Sequence, residues 1–435
     1  PPRVGALLAL ACACAVLLQC TEAIPASPGI PPVGSVGSVI GDAYLDDAKA
    51  IMDELVKVRR ELHQMPETMY EEVRTSKYIR DKLDALGIRY DYPVAKTGII
   101  GYIGSGDPVV ALRSDIDALP VEEGLDVPYK SQVPGKMHAC GHDAHMSMLL
   151  GAAQLLKARE GSLKGTVRLL FQPAEEGGGG GELLVKEGAM KGVGQVFGFH
   201  VWPTHETGVV MSRPGTLLAS AGRFKATIQG RGGHGAMPHT TRDPIVAGAA
   251  IVSALQTIVS REISPLDSAV VTVAEFHGGH AHNVIPDSVM LGGTMRALTL
   301  EAAGKLSVRL KEVIEATAVA YGCTAEVDFE EHIMKPYPPT VNDKGAYEFG
   351  AGVALRLVGP DKFVGDVEPT MAGEDFAYLA QEAPGCFMLL GIKNTTLGSG
   401  EYANHHPKFQ VDEEVLPLGA ALHTALAVEW LATHR

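Results

Sequence analysis

The sequence predicts an α/β protein of two domains. A mixed-sheet domain covered by helices carries an inserted, smaller ferredoxin-like (βαββαβ) domain. Three observations predict it. Short apolar runs at 98–104, 109–113, 166–171 and 195–199 alternate with segments of helical periodicity. Metal-type and acidic residues follow the ends of those runs, where open α/β sheets place ligand sites. Between 216 and 331 the pattern becomes a closed set of its own, with metal-type residues on either side of it in the chain.

The 435 residues suit two or three domains. Residues 1–23 read as a secretory signal peptide: Arg3, an apolar run at 4–18 too short to cross a bilayer comfortably, and Thr21-Glu22-Ala23 as the cleavage site. The chain opens on Pro1 rather than Met, which suggests a start truncated upstream. Residues 24–44, rich in Pro, Gly and Ser, read as a linker.

The first part of the catalytic domain is expected at 45–215. Ile51, Leu55, Val58 and Leu62 stand at helical spacing and make 46–64 a helix. A second helix, 75–86, is stopped by Gly87. Strands at 98–104 and 109–113 lead to Asp115 and Asp117, and a helix is expected at 145–159. Strand 166–171 precedes Glu175-Glu176, and strand 195–199 has His200 at its end. The insert at 216–331 reads strand 223–229, helix 243–261, strand 268–276, strand 288–296, helix 300–321, strand 324–329. The second catalytic part, 332–435, closes on a helix at 415–433.

Composition limits the function. The chain is 46% hydrophobic and 20% charged, with a formal net charge of -14 and no basic block. Nucleic acid and anionic membranes are therefore excluded as main partners. Six cysteines fall to Cys140, Cys323 and Cys386 once the signal is removed, which is no disulfide framework. Asn394-Thr395-Thr396 is a glycosylation sequon. The terminal Ala432-Thr433-His434-Arg435 is not a retention tetrapeptide, so the expected destination is the endoplasmic reticulum lumen or the exterior.

The chemistry concentrates in residues 136–145, K-M-H-A-C-G-H-D-A-H. A lone cysteine is usually a small buried hydrophobe, and a lone histidine a satisfied one. One cysteine, three histidines and an aspartate within ten residues point instead to a first-row metal. Glu175-Glu176 follow a buried-looking strand and precede five glycines, Gly177 to Gly181, a turn no ordinary helix tolerates. Neighbours in such a turn point different ways, so one glutamate can ligate and the other face a substrate. The glycine run lacks the Lys and Ser/Thr of a phosphate loop. His200 and the Asn404-His405-His406 segment add ligands. Glu374-Asp375 could equally be first-turn helix charges favoured by the dipole. Glycine-flanked His234 and residues 277–283 lie on insert loops.

The motifs M-H-A-C-G-H-D-A-H, F-Q-P-A-E-E-G, G-x-H-V-W-P, G-R-G-G-H-G-A-M-P-H, H-N-V-I-P and H-H-P-K-F together resemble one family. It is the amidohydrolase branch of the dinuclear metallopeptidases, most like its plant indole-3-acetic acid (IAA)–amino acid conjugate hydrolases. The resemblance spans roughly residues 48–431. It implies hydrolysis of the amide bond of N-acyl amino acids, IAA conjugates foremost. It also implies two divalent cations, Mn2+ foremost, with Zn2+ or Co2+ acceptable to the same donors.

The resemblance implies Cys140, His142, Glu176, His200 and His405 as metal ligands. His405 is chosen over His406 because the family motif H-x-P-x-F fixes the first histidine. It implies Glu175 as general base, His234 as a lid histidine that reaches the substrate, and Asn283 as a substrate-side residue near the dimer-facing surface. A cation pair acidifies water and polarises the amide carbonyl. Glu175 would take the proton from water and pass it to the leaving amine, and His234 would steady the oxyanion. Asp143 or Asp115 is expected to orient a ligating histidine. The implied partner is a small N-acyl amino acid, with no nucleic acid and no membrane after signal removal; a homodimer through the lid domain is allowed.

Other readings stay open. A hippurate hydrolase, an N-acyl-amino-acid deacylase or a dipeptidase would use the same residues. A cysteine amidase with Cys140 as nucleophile would leave Glu175, Glu176 and His405 without a role. A silent metal- or ligand-binding homologue would not need Glu175.

Overall fold

A computed structural model describes residues 38–332 and 335–434. The expected signal peptide and most of the expected linker lie outside the described residues. The first stretch contains α1 (Ser38–Lys49), α2 (Met52–His63), α3 (Val73–Ala85), β1 (Arg89–Val94), β2 (Gly98–Gly104) and β3 (Val109–Asp115). It continues with α4 (His142–Ala158), β4 (Thr166–Gln172), α5 (Gly180–Lys186), β5 (Val193–Glu206) and β6 (Val210–Met211). The middle contains β7 (Gly215–Leu218), β8 (Ser220–Gln229), β9 (Gly233–His234), α6 (Pro244–Thr257), β10 (Ala269–His277), β11 (Val284–Ile285), β12 (Ser288–Ala297), α7 (Leu300–Ala320) and β13 (Thr324–Asp328). The last contains β14 (Thr340–Asn342), α8 (Lys344–Val358), β15 (Phe363–Val364), α9 (Phe376–Glu382), β16 (Gly385–Lys393) and α10 (Leu416–Thr433).

The main sheet has eight strands in the order β1-β2-β4-β3-β5-β16-β6-β15. Its middle, β4-β3-β5-β16, is parallel. Strands β1 and β2 run antiparallel at one side. Residues of β3 are buried along its whole length, and those of β16 in all but the last position. Interior parallel strands covered on both faces need that near-continuous apolar character. Helices α4, α8 and α10 pack one face, and α5 and α9 the other. Helices α4 and α10 are buried nearly all round, which explains why neither shows a polar stripe.

Four expected boundaries move. Residues 38–44 belong to α1 rather than to a linker, and Tyr44 is buried in the core. The expected helix 46–64 is two helices broken at Ala50 and Ile51, because α1 packs on α10 and α8 while α2 packs on α4. Helix α4 starts at His142 rather than at 145, and β5 runs on to Glu206, so His200 lies inside a strand.

The middle stretch builds a separate four-stranded antiparallel sheet in the order β10-β12-β8-β13. Helices α6 and α7 pack on it through Ala247, Ile251, Leu255, Leu306, Leu310 and Ile314. Each helix start is capped by the preceding side chain: Asp243 accepts from Ile245 and Val246 N–H, and Thr299 from Ala302 N–H. The chain enters and leaves this part side by side. Strand β7 pairs with β14, and Ala221 is bridged to Tyr337.

Candidate metal centre and active site

The parallel strands deliver their loops to one edge of the sheet. Asp115 ends β3 and Asp117 follows it; Glu175 and Glu176 follow β4; His200 lies on β5; His405 lies on the segment after β16. Cys140 and His142 flank Gly141, the residue before α4, whose φ is +94°. A Cβ there would meet Val201 Cγ2 at 2.4 Å, so only glycine lets both donors turn inward beside His200.

The five expected ligands converge. Cys140 Sγ lies 3.2 Å from His200 Nε2, and His405 Nε2 lies 3.2 Å from Glu176 Oε1. His142 Nε2 is 3.9 Å from the same Glu176 oxygen. Donor atoms of Cys140, His142 and His200 lie within 4.8 Å of one another, as do those of Cys140, Glu176 and His405. The rings are turned for ligation. His142 Nδ1 donates to the Asp117 carbonyl at 2.8 Å, and His200 Nδ1 donates to the Val201 carbonyl at 2.7 Å, which leaves each Nε2 lone pair facing the cluster. His142 Nε2 and Glu176 Oε1 are buried and have no hydrogen-bond partner. Buried polar atoms are rarely left so. Soft sulfur, three imidazoles and a carboxylate around orphaned atoms fit divalent cations.

Glu175 is buried beside them. Burial, then Glu374, Glu176 and Asp375, push its carboxyl well above the usual range, as suits a proton acceptor working near neutrality. Its turn is held from several sides. Asp117 accepts the N–H of Glu175 and of Glu176, both at 3.0 Å. Glu72 accepts from Ala174 N–H at 2.9 Å, and Tyr70 donates to the Gly178 carbonyl at 2.7 Å. The glycines are required by crowding: a Cβ on Gly180 would sit 1.6 Å from the Pro173 carbonyl oxygen.

A cavity of about 370 Å³ opens over this cluster. Trp202, Leu218, Ala221 and Tyr337 give it an apolar wall, and Arg296 of β12 enters from the four-stranded part. Arg296 donates through Nη1 to the carbonyls of Gly222 and Met295 and pairs with no carboxylate of the described residues.

Other expected residues fall elsewhere. Asp143 turns away from the cluster to meet Arg59 and His63, both at 2.8 Å, and does not orient a ligand. Asp115 receives His145 Nδ1 at 2.6 Å, and His145 Nε2 accepts Val201 N–H, so His145 braces the strand of His200. His138 is buried with neither ring nitrogen partnered. Glu374 and Asp375 are not exposed helix charges but buried partners of Arg113, at 2.9 and 3.0 Å. His234 and Asn283 lie together, with Gly235 N–H donating to the Asn283 carbonyl at 2.8 Å. Both are exposed, and neither lines the cavity. Sequence reading passed over Arg296, Tyr337 and the role of Asp117. Arg296 had one signal, a lone cation in the otherwise uncharged strand S-V-M-L-G-G-T-M-R-A.

Residues 111–429 match the model of peptidase family M20/M25/M40. The chain belongs to this family. The M20 chain is 48% identical over 404 residues to the Arabidopsis thaliana protein IAA-amino acid hydrolase ILR1-like 2, covering 92% of this chain and 91% of that one. It is 40% identical over 388 residues to the N-acetylcysteine deacetylase of Bacillus subtilis, covering 88% and 99%. Among solved structures, the Bacillus subtilis YXEP protein, a dinuclear metal binding peptidase from the M20 family, matches with a TM-score of 0.75 at 36% identity, covering 88% of the M20 chain and 99% of that chain. The M20 chain is thus a metal-dependent amide hydrolase with the mixed α/β fold of its family.

Proposed function

We propose that the chain hydrolyses N-acyl amino acids, IAA–amino acid conjugates foremost, with Glu175 as general base. The convergence of Cys140, His142, Glu176, His200 and His405 beside buried Glu175 carries the reading. These five residues would hold two divalent cations, Mn2+ foremost, with Zn2+ or Co2+ accepted by the same donors. Bound there, the cations supply Lewis acidity to the amide carbonyl and acidify water.

The chain's own residues do the rest. Glu175 takes a proton from water as its oxygen attacks the carbonyl carbon, then returns it to the nitrogen as the C–N bond breaks. Arg296, the unpaired cation of the cavity, suits the free carboxylate of an amino acid. The wall of Trp202, Leu218, Ala221 and Tyr337 suits an aromatic acyl group. The four-stranded part serves as a ferredoxin-like lid spanning 216–331, within catalytic parts at 45–215 and 332–435. His234 stands on it to steady the oxyanion, with Asn283 beside it on the substrate side, once the lid closes or a second copy docks. Exposed Ile245, Val246 and Phe276 near the edge strand β10 support such a homodimer. Entry into the secretory pathway, through a signal at 1–23, belongs to the same reading.

The test uses metal-stripped protein resupplied with manganese, zinc or cobalt, acting on indole-3-acetyl-alanine, hippurate and N-acetyl-methionine. Metal-restored release of amino acid that is fastest from the indole conjugate is expected. Faster turnover of hippurate or N-acetyl-methionine would move the activity to a deacylase. No turnover with cations bound would leave a silent homologue.

A further inference from the structure

The turn that carries Glu175 is strained. Ala174 has a φ of +55° and Gly177 one of +121°. A non-glycine residue in the left-handed region persists only where its surroundings hold it. Most of the restraints come from the catalytic domain: Asp117, Glu72 and Tyr70. One comes from the segment just before β14, where the chain returns from the inserted part. The Tyr337 hydroxyl donates to the Glu175 carbonyl at 2.5 Å and accepts Gly177 N–H at 2.8 Å. Burial raises its phenol well above the usual range, so it remains a donor at every working pH.

Tyr337 is itself fixed to the insert. Its N–H donates to the Ala221 carbonyl at 2.8 Å, and its carbonyl accepts Ala221 N–H at 2.9 Å. Ala221 is the β8 residue directly opposite Arg296 of β12. Beside it, the stem of Lys335 lies against Gly179, within 2.8 Å of where a Cβ would stand. A short backbone path therefore runs from Arg296 through Ala221 and Tyr337 to Glu175.

We infer that Tyr337 is a positioning residue for Glu175, whose hydroxyl couples the placement of the base to the strand pair that carries Arg296. The inference rests on the reading of Glu175 as the base. A base displaced by about an ångström can lose on the order of 10²-fold in rate. Spatial adjacency alone does not establish coupling; a thermodynamic cycle does.

The experiment compares Tyr337→Phe, Tyr337→Leu, Arg296→Ala, Glu175→Gln and the Tyr337→Phe/Arg296→Ala double variant as metal-loaded proteins on indole-3-acetyl-alanine. Bound metal is measured for each. Tyr337→Phe keeps the ring in the cavity wall, so kcat should fall about 10- to 100-fold with KM within about threefold. Tyr337→Leu, which also loses the ring, should raise KM as well. The double variant should lose less in kcat/KM than the product of the single losses. Wild-type kcat in Tyr337→Phe, a loss matched by lost metal, or strict additivity with Arg296→Ala would each overturn the inference. An active Glu175→Gln would instead overturn the assignment of the base, which keeps the two failures apart.

Discussion

His405 Nε2 lies 3.2 Å from Glu176 Oε1, joining the segment after the last strand to the turn after β4. The Glu176 carboxylate, ahead of the opposing effect of burial, raises the imidazole of His405. The two groups face each other at the cavity mouth, and a cation held between them would take the place of the proton on His405.

Replacing Glu175 with Gln keeps the shape of the turn and removes the proton acceptor. Turnover should fall by about 10²–10⁴-fold. Bound metal, measured by elemental analysis, should stay at the wild-type level, because Glu175 is not among the five converging donors.

Cys140 separates two chemistries. Cys140→Asp offers an oxygen ligand in place of sulfur and should keep part of both metal binding and activity. A thiol nucleophile would leave that variant with metal and no turnover, so titration with cation alongside initial rates decides between them.

Cation uptake should depend on pH in a defined direction. In the cation-free protein, burial and the Glu176 and Glu175 carboxylates push the Cys140 thiol well above its ordinary range. Burial lowers His142, but Asp115 and Asp117 outweigh it and raise the ring to about 10. Both must lose a proton to ligate. Affinity should therefore rise with pH across neutrality, with proton release on binding, which calorimetry in two buffers of different ionisation enthalpy would read.

Global stability should fall as pH drops below about 6.5. Burial lowers both His138 and His423 to about 3, against the unfolded value of 6.5. Between those limits the unfolded chain binds the protons and the folded one does not. The stability is thus fully present above the unfolded value and is lost on acidification, at about 1.4 kcal/mol per pH unit for each ring. His423→Phe, which keeps an aromatic face against Phe199, should flatten the slope of unfolding free energy measured by denaturant at a series of pH values.

Arg296→Ala should raise KM for N-acyl amino acids by about 10- to 100-fold, the worth of a charged hydrogen bond. Substrates amidated at the carboxyl end should bind the wild type as weakly as the variant. Equal losses on both substrate forms would remove Arg296 from carboxylate recognition.

Several elements between 216 and 331 were legible to within a few residues, because each is bounded by turn or capping residues such as Asp243 and Thr299. The expected strand 288–296 and helix 300–321 correspond to Ser288–Ala297 and Leu300–Ala320. The five converging donors were legible because they stand in dense motifs. The helix Lys344–Val358 and the strand Gly385–Lys393 were not drawn from the sequence: a fully buried strand has no alternation to betray it. Asp117, Tyr337 and Arg296 escaped for a different reason. What each does depends on partners far along the chain, and a sequence does not display a contact such as Tyr337 with Glu175. The short helix break at Ala50 likewise reflects which neighbours the two halves meet rather than any local signal.

Strand β16 completes the sheet from within, paired to β5 on one side and β6 on the other. During synthesis the N-terminal strands emerge long before residues 385–393. Until then β5 offers an open apolar edge of the kind that recruits stray strands. A nascent chain therefore carries that open edge from the synthesis of residue 206 until residues 385–393 follow, and termination before residue 393 would yield a fragment prone to aggregate rather than a smaller working enzyme.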